Sequence, residues 1–514
     1  MRVNNVRIFV SVTGLLAVFF FISPMNVHQI YAETLLSIED AINIALEQSY
    51  DMKTIRLQVI EAEENRLAAK YRFRTNANLN LSTPSWGENV TAVQVPNGLP
   101  VYNSLGRIRY QGQLNLNQPL PTDGTITLRS QLYQSKESNY FTETDKTLKR
   151  KDFLSSLSLT LNQPLFTYNR LKTGLQRAEL NYERTSLTQN RTELNVIYNV
   201  SNSFYTLYRL TRSYEIANET LDQQKKTYDL AKLKFEAGLI PEVDALRMEV
   251  DLASAQSDLL SAEASMERQK EQFKQDLGLS LNEDVGVKTD ISYTHFDIDL
   301  DKAMKHGLEN RYEIRENEIA IELSRISVKE TDAQVEVSAN LSAYYDFTGR
   351  SDPGLPLNSS TQDLFDSSWD DLNRRPGNKG VTLTFSVPVW DWGVNKSQVA
   401  SAKASLQRSE LQLDEQKKTI INSISDAVRQ VRNAESRLEV LEKSQAVAQR
   451  TYEISMERFN NGEITSQDLA LDQKSLSNAK MGFLNAYISY KLAVADLKRK
   501  TLWDFETDRP LNKK

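Results

Sequence analysis

Residue types that can do chemistry are scarce in this sequence, and the most regularly placed of them are acids. Asp244 and Asp468 each lie six positions beyond the glycine of a Phe-x-x-Gly passage, Phe235 to Gly238 and Phe459 to Gly462. Thr465, three residues before Asp468, gives an arrangement like a capping box, in which a hydroxyl and a carboxylate satisfy free N–H groups at a helix start. That is structural chemistry at a helix terminus. Catalysis has little to work with. Beyond residue 32 the histidines are His295 and His306, in no metal-ligand spacing. Cysteine is absent, which excludes disulfides, thiolate metal sites, a catalytic thiol and lipid attachment through an N-terminal cysteine. No G-x-x-x-x-G-K-[ST] phosphate loop occurs, so any energy has to come from a partner. The other carboxylates are spread along helical stretches and read as solvated faces. The expectation is a non-enzyme with no cofactor and no metal.

The acids are positioned by helices of unusual length. Leu171 to Phe235 and Val394 to Phe459 contain no proline, and at 1.5 Å per residue each would reach about 100 Å. In the second stretch Ile424, Ala427, Val431, Ala434, Leu438 and Leu441 recur at steps of three and four, and Ala448 and Tyr452 continue the seam after Gln445 interrupts it once; the first stretch repeats the positions as Val200, Ser203, Leu207, Leu210, Tyr214, Ala217, Leu221 and Tyr228. This is coiled-coil spacing held over several heptads. Gly238 and Gly462 supply the left-handed turn that ends a helix, and Pro241 suits the first turn of a returning one. Both turns read as tips of coiled-coil hairpins.

Four shorter segments alternate. They are Ala77-Asn-Leu79-Asn-Leu81-Ser, Leu157-Ser-Leu159-Thr-Leu161-Asn, Val335-Glu-Val337-Ser-Ala339-Asn-Leu341-Ser and Val381-Thr-Leu383-Thr-Phe385-Ser. A strand sends alternate side chains to opposite faces, so each has an apolar and a polar side. A soluble β-domain gives the same alternation. The polar sides here are Asn, Ser and Thr with few charges, which suits a watery lumen backed by lipid. Trp86, Tyr344, Tyr345, Trp390 and Trp392 sit near strand ends, where interfacial aromatics belong. Leu114-Asn-Leu-Asn-Gln118-Pro119-Leu120 imitates Leu159-Thr-Leu-Asn-Gln163-Pro164-Leu165, and the Asp123-Gly124 turn after it marks an extra hairpin.

At the N-terminus Arg2 and Arg7 precede an apolar run from Ile8 to Ile22, with Ala32 as a small residue for cleavage before Glu33. That is the layout of a secretory signal peptide; an uncleaved anchor would want a longer run. No later stretch approaches the roughly 20 apolar residues of a membrane helix, so a membrane-spanning portion would have to be a closed β-barrel. The balance of 62 basic against 68 acidic side chains, net -6, is opposite to that of a nucleic-acid binder.

Much of the chain is written twice. Leu157 to Phe166 aligns without a gap on Val381 to Trp390, 224 residues on, and Thr227-Tyr228 falls on Thr451-Tyr452 at the same offset. Ala41, Leu46, Tyr50 and Leu79 match Ala303, Leu308, Tyr312 and Leu341 at an offset of 262, which leaves 38 more residues between the strands of the first half. The expected organisation begins with a signal peptide over 1–32 and a first repeat over 33–278. That repeat holds a first helix, strands at 75–84 and 154–166, the extra hairpin at 109–135, a long helix at 169–236, a tip at 237–241 and a helix at 242–278. A linking, equatorial segment at 279–300 leads to a second repeat over 301–500. Its strands are at 334–346 and 380–390, its long helix at 394–460, its tip at 461–465 and its last helix at 466–500, before a tail at 501–514.

In the order and duplication of these parts, the paired aromatic-x-x-Gly tips with their Asp residues and the Pro corners before long helices, the chain resembles the TolC family of outer-membrane efflux proteins, the outer membrane factors. The resemblance covers nearly the whole mature chain. It implies a mainly α protein with a transmembrane β-barrel portion, a homotrimer whose coiled-coil hairpins form a periplasmic α-barrel beneath a barrel in outer-membrane lipid. It implies a passive exit duct of a tripartite efflux or type I secretion system, served by a periplasmic adaptor protein and an inner-membrane RND or ABC transporter. By resemblance Phe235, Gly238, Leu239, Ile240, Phe459, Gly462, Glu463 and Ile464 would contact the adaptor. Asp244, Asp468 and Asp472 would ring the aperture, where three copies of a carboxylate repel anions and attract cations. Pro164 and Pro388 would be the strand–helix corners. The chain also departs from the family's type member: the second aperture acid is displaced, with Leu471 in its place and Asp472 beside it, and a basic residue near the second tip is replaced by Ile464. The competing reading is a periplasmic coiled-coil structural or tethering protein without channel activity. The cargo is not encoded in any feature named here.

Overall fold

The computed structural model describes residues 34–96, 98–288, 293–333 and 337–511. The expected signal peptide and the first residues of the strand expected at 334–346 lie outside these. The first half runs β1 (Thr34–Leu36), α1 (Ile38–Gln48), α2 (Tyr50–Tyr71), β2 (Asn76–Val93), β3 (Val101–Pro119), β4 (Thr125–Phe141), β5 (Lys146–Leu165), α3 (Arg170–Glu236), α4 (Glu242–Leu277) and β6 (Val285–Val287). The second runs α5 (Leu300–Asn310), α6 (Tyr312–Ala333), β7 (Ser338–Arg350), α7 (Thr361–Arg374), β8 (Asn378–Ser386), α8 (Val394–Asn460), α9 (Ser466–Thr501), β9 (Trp503–Asp504) and β10 (Arg509–Pro510). Helices of 11, 22, 67 and 36 residues recur in that order in both halves. These four helices therefore correspond pairwise in length and order.

The longer strands form one antiparallel sheet in the order β2-β3-β4-β5-β7-β8. The hairpin expected at 109–135 is longer than the sequence pattern suggests, and both its strands lie inside the sheet. Strands expected at 75–84 and 154–166 run instead over 76–93 and 146–165. The reason is local: backbone pairing continues where apolar alternation stops, as at Lys136 beside Lys151 and Glu137 beside Arg150. The corners also differ from expectation. Pro164 stays in the ladder, paired with Asn340, and the chain turns at Phe166 with φ +58°. Pro388 lies beyond the end of β8, and Trp392 and Gly393, at φ +55° and +84°, make the second corner. There Asp391 accepts from the backbone N–H of Asn395 and Gly393, both at 2.9 Å. Those two bonds hold its carboxyl below the usual range.

The main core is a belt partway down the long helices. Phe204 and Leu207 of α3, Phe273 and Leu277 of α4, Ile420, Ile424 and Leu438 of α8, and Tyr487 and Tyr490 of α9 are buried together. α1 and α5 insert small faces into it, through Ala41, Ala45 and Ala303. Gly307 takes the place corresponding to Ala45, because Ile424 Cδ1 occupies the space a Cβ would need. The segment before α5 is pinned along α8 and α9. Tyr293 donates to Glu442 over 2.8 Å, Tyr490 to the Thr294 carbonyl over 2.7 Å, and Arg432 to the Ile298 carbonyl over 2.7 Å.

Candidate functional site

Both tips close by the same backbone device. Gly238 and Gly462 have φ of +72° and +79°. Leu239 N–H donates to the Lys234 carbonyl and Glu463 N–H to the Arg458 carbonyl, each over 2.8 Å. These are Schellman closures, and they need a residue that tolerates positive φ. The side chains around them are not equivalent. Phe459 is 5% exposed and packs with Tyr452, Leu469 and Leu476, while Phe235 is 39% exposed. Lys234 explains the difference: its Nζ donates to the Phe459 carbonyl over 3.1 Å and sits 4.2 Å from the ring centroid. Leu239 is 73% exposed; Ile464 packs against the Phe459 cluster. Glu463 reaches back to Arg458 at 3.4 Å. Lys234 and Arg458 were not picked out in the sequence, although a basic residue before each tip phenylalanine was there to see.

The acids are placed unequally too. Thr465 and Asp468 form the capping box: Asp468 N–H donates to Thr465 Oγ1 over 3.2 Å, and Asp468 Oδ2 accepts from Thr465 N–H and O–H over 3.1 and 2.7 Å. Those bonds lower the carboxyl's pKa. Asp244 has no such partner at its helix start; Pro241 occupies the N-cap position just before Glu242, and Arg247 lies 4.0 Å from the carboxylate. Asp472 turns toward its own hairpin and accepts from Ser455 over 2.5 Å.

The sheet has one apolar face across all six strands. Leu79 pairs with Leu114, Leu116 with Leu128, Leu128 with Leu159, Leu161 with Ala343, and Leu341 with Leu383. Most of these side chains are exposed or half-exposed. The opposite face carries Asn78, Gln113, Asn115, Thr127, Thr160, Ser342, Thr382 and Thr384. Among the described residues no helix is long and apolar enough to cross a membrane, and no cluster of acids and histidines could hold a metal.

The helices stand side by side as α4-α3-α9-α8 toward the tips and α2-α3-α6-α8 toward the sheet. The flanks carry exposed apolar seams: Tyr50, Leu57 and Ile60 on α2, Val243, Leu246, Val250 and Leu260 on α4, and Leu411, Val440, Val447 and Ile454 on α8. The sheet edges fall on the same sides, β2 following α2 and β8 preceding α8.

Comparison with known proteins fits this geometry. A family model described as outer membrane efflux protein matches residues 41–279 and 303–501. The chain belongs to that family. As a family member it is an outer-membrane, TolC-like transport protein with periplasmic helices. It is 20% identical over 351 residues to the outer membrane protein TolC of Salmonella enteritidis, covering 67% of this chain and 68% of that one. Its fold is similar to the Campylobacter jejuni CmeC outer membrane channel, with TM-score 0.66, 15% identity, and coverage of 90% of this chain and 85% of that one. The open-state Neisseria gonorrhoeae MtrE outer membrane channel gives TM-score 0.63 at 14% identity, with 90% and 88% covered. CmeC and MtrE are outer membrane channels.

Among the elements of this family member missed in the sequence, α7 is the longest. α7 joins β7 to β8 and packs on β5 and β7, with Leu364, Ser368 and Leu372 buried. Its signal was present as a capping box, Ser360 with Asp363, followed by apolar residues at helical steps.

Proposed function

We propose that this protein is the passive outer-membrane exit duct of a tripartite efflux or type I secretion system, acting as a homotrimer. The carrying observation is the pair of unsatisfied flanks. An open sheet edge in lipid leaves backbone N–H and C=O groups without partners, at several kcal/mol each, so β2 and β8 must pair with something. β2 runs away from the helices and β8 runs toward them, so β8 of one copy and β2 of the next lie antiparallel. The α4 and α2 seams of one copy then face the α8 seam of its neighbour, and the ring closes on itself. The continuous apolar sheet face argues against a periplasmic tether, which has no use for it.

In this reading residues 1–32 are a secretory signal, and the cargo passes through a lumen lined by the Asn, Ser and Thr face. The tips meet a periplasmic adaptor, coupled to an RND or ABC transporter of the inner membrane. Phe235, Gly238, Leu239, Ile240, Phe459, Gly462, Glu463 and Ile464 form or shape that contact, and Asp244 is the freest of the aperture acids. The cysteine-free chain permits a direct test. A crosslinker on Glu463→Cys in living cells should capture an adaptor, whose transporter then separates efflux from secretion. Capture of peptidoglycan-bound proteins alone would sink the proposal.

A further inference from the structure

The hairpin β4–β5 repeats β2–β3 down to single hydrogen bonds. Thr75 donates its hydroxyl to Gln118 Oε1, and Gln118 Nε2 donates to the Pro119 carbonyl over 2.6 Å and to the Phe73 carbonyl over 3.3 Å. At the end of the next hairpin Thr122 donates to Gln163 Oε1 over 2.7 Å, and Gln163 Nε2 donates to the Pro164 carbonyl over 2.8 Å and to the Thr122 carbonyl over 3.0 Å. The same Gln-Pro-Leu ending, 45 residues apart, therefore closes both descending strands.

The repeated hairpin shares the apolar band of its neighbours. Leu114 and Leu116 of β3 stand level with Leu79 and Ala77 of β2, and Ile126 and Leu128 of β4 with Leu161 and Leu159 of β5. An added hairpin lying outside the membrane would have no reason to keep those rows in step. The turn between β3 and β4, where the repeated hairpin begins, is also tied to the helices, since Asn169 Nδ2 donates to the Pro121 carbonyl over 2.6 Å.

We propose that this hairpin is a duplicated piece of the membrane wall, so that each copy contributes six strands and a trimer closes a wide barrel of eighteen. This rests on the trimeric reading above for the total, but not for the number per copy. With strands about 4.8 Å apart and tilted near 40°, eighteen give a backbone diameter of roughly 36 Å, against roughly 24 Å for twelve. A wall of that size belongs to the range that leaves an aqueous channel. The outer-membrane portion would then not be the size filter, and selection would fall to the helical end.

The test uses the full chain in lipid nanodiscs, imaged by electron cryo-microscopy, with copy number from native mass. Six strands per copy in one closed wall is the expected result; four per copy, with a hairpin packed elsewhere, would overturn the proposal. A copy number other than three would overturn the trimer and leave the strands per copy to decide the hairpin. Deleting Leu120 to Pro164 joins Gln118-Pro119 to Leu165-Phe166 and recreates the natural Gln-Pro-Leu-Phe junction. The deleted trimer should show four strands per copy and a barrel about 1.5-fold narrower; an undiminished diameter would also overturn the proposal. The count on the full chain decides even where the deletion does not assemble.

Discussion

Arg170 Nε donates to Asp123 Oδ2 over 3.0 Å, joining the inner turn of the β3–β4 connection to the first residue of α3. The other carboxylate oxygen accepts from Leu171 N–H over 3.3 Å. One side chain from the sheet thus covers the start of a 67-residue helix, where free N–H groups and the helix dipole favour an anion. Asp123 holds this place at φ +68°. Asp123→Gly should remove these two bonds without strain, leaving Asn169 as the N-cap on Lys172 N–H, and cost about 1 kcal/mol, with faster hydrogen exchange at Leu171 N–H. Asp123→Ala should cost more, because it adds a positive-φ penalty of roughly 1 kcal/mol. Equal effects would show that the backbone strain is not real.

The tip glycines separate conformational from steric cost. A Cβ built on Gly238 or Gly462 meets nothing within 4 Å, so alanine is opposed there by φ alone. Gly462→Ala should therefore weaken its hairpin closure by about 1 kcal/mol and speed exchange at Glu463 N–H, leaving assembly intact. Asn, which tolerates the left-handed region better, should be milder. An Asn variant as disturbed as the Ala variant would contradict this account.

How much of this was legible in the sequence follows from which physical signal each part carries. The long seams were readable because burial recurs every three or four residues, and Ile424, Ala427, Val431, Leu438 and Tyr452 are indeed buried. The first copy departs near its tip. Thr227 and Ala231 are buried rather than Tyr228, because α3 lies between α4 and α9 while α8 stands at a flank; that placement is tertiary and leaves no mark in a single helix. The strands were readable only where one face is apolar, so the charged continuations of β2 to β5 escaped notice. The different fates of Phe235 and Phe459 depend on Lys234 crossing from the other hairpin, which no local pattern encodes.

The equatorial segment should loosen as pH rises. His295 Nδ1 lies 2.7 Å from Glu435 Oε1, and the hydrogen bond to that carboxylate raises the imidazole pKa above its usual 6.5. The folded state binds the proton more tightly, so the contribution is full below the unfolded pKa and is lost as pH rises through the folded one. Hydrogen exchange over residues 293–299 should quicken across that window. In Glu435→Gln the His295 titration, followed by NMR, should move down toward 6.5. An unmoved midpoint would assign the shift to another group.

The two tip phenylalanines make different predictions from one motif. Phe459 is buried against Tyr452, Leu469 and Leu476, so Phe459→Ala should cost roughly 3–5 kcal/mol through the cavity it leaves. Chemical denaturation of the purified protein reads that loss. Phe235 is 39% exposed and buries less than Phe459, so Phe235→Ala should cost less, about 1–2 kcal/mol. If its exposed ring serves adaptor docking, the same substitution should reduce crosslinking from Glu463→Cys at unchanged protein level. Lys234→Ala joins the two cases, since it removes the cation that covers Phe459 and should cost about 0.5–1 kcal/mol. A Phe235 variant that loses more stability than the Phe459 variant while keeping full capture would reverse the roles assigned to the two rings.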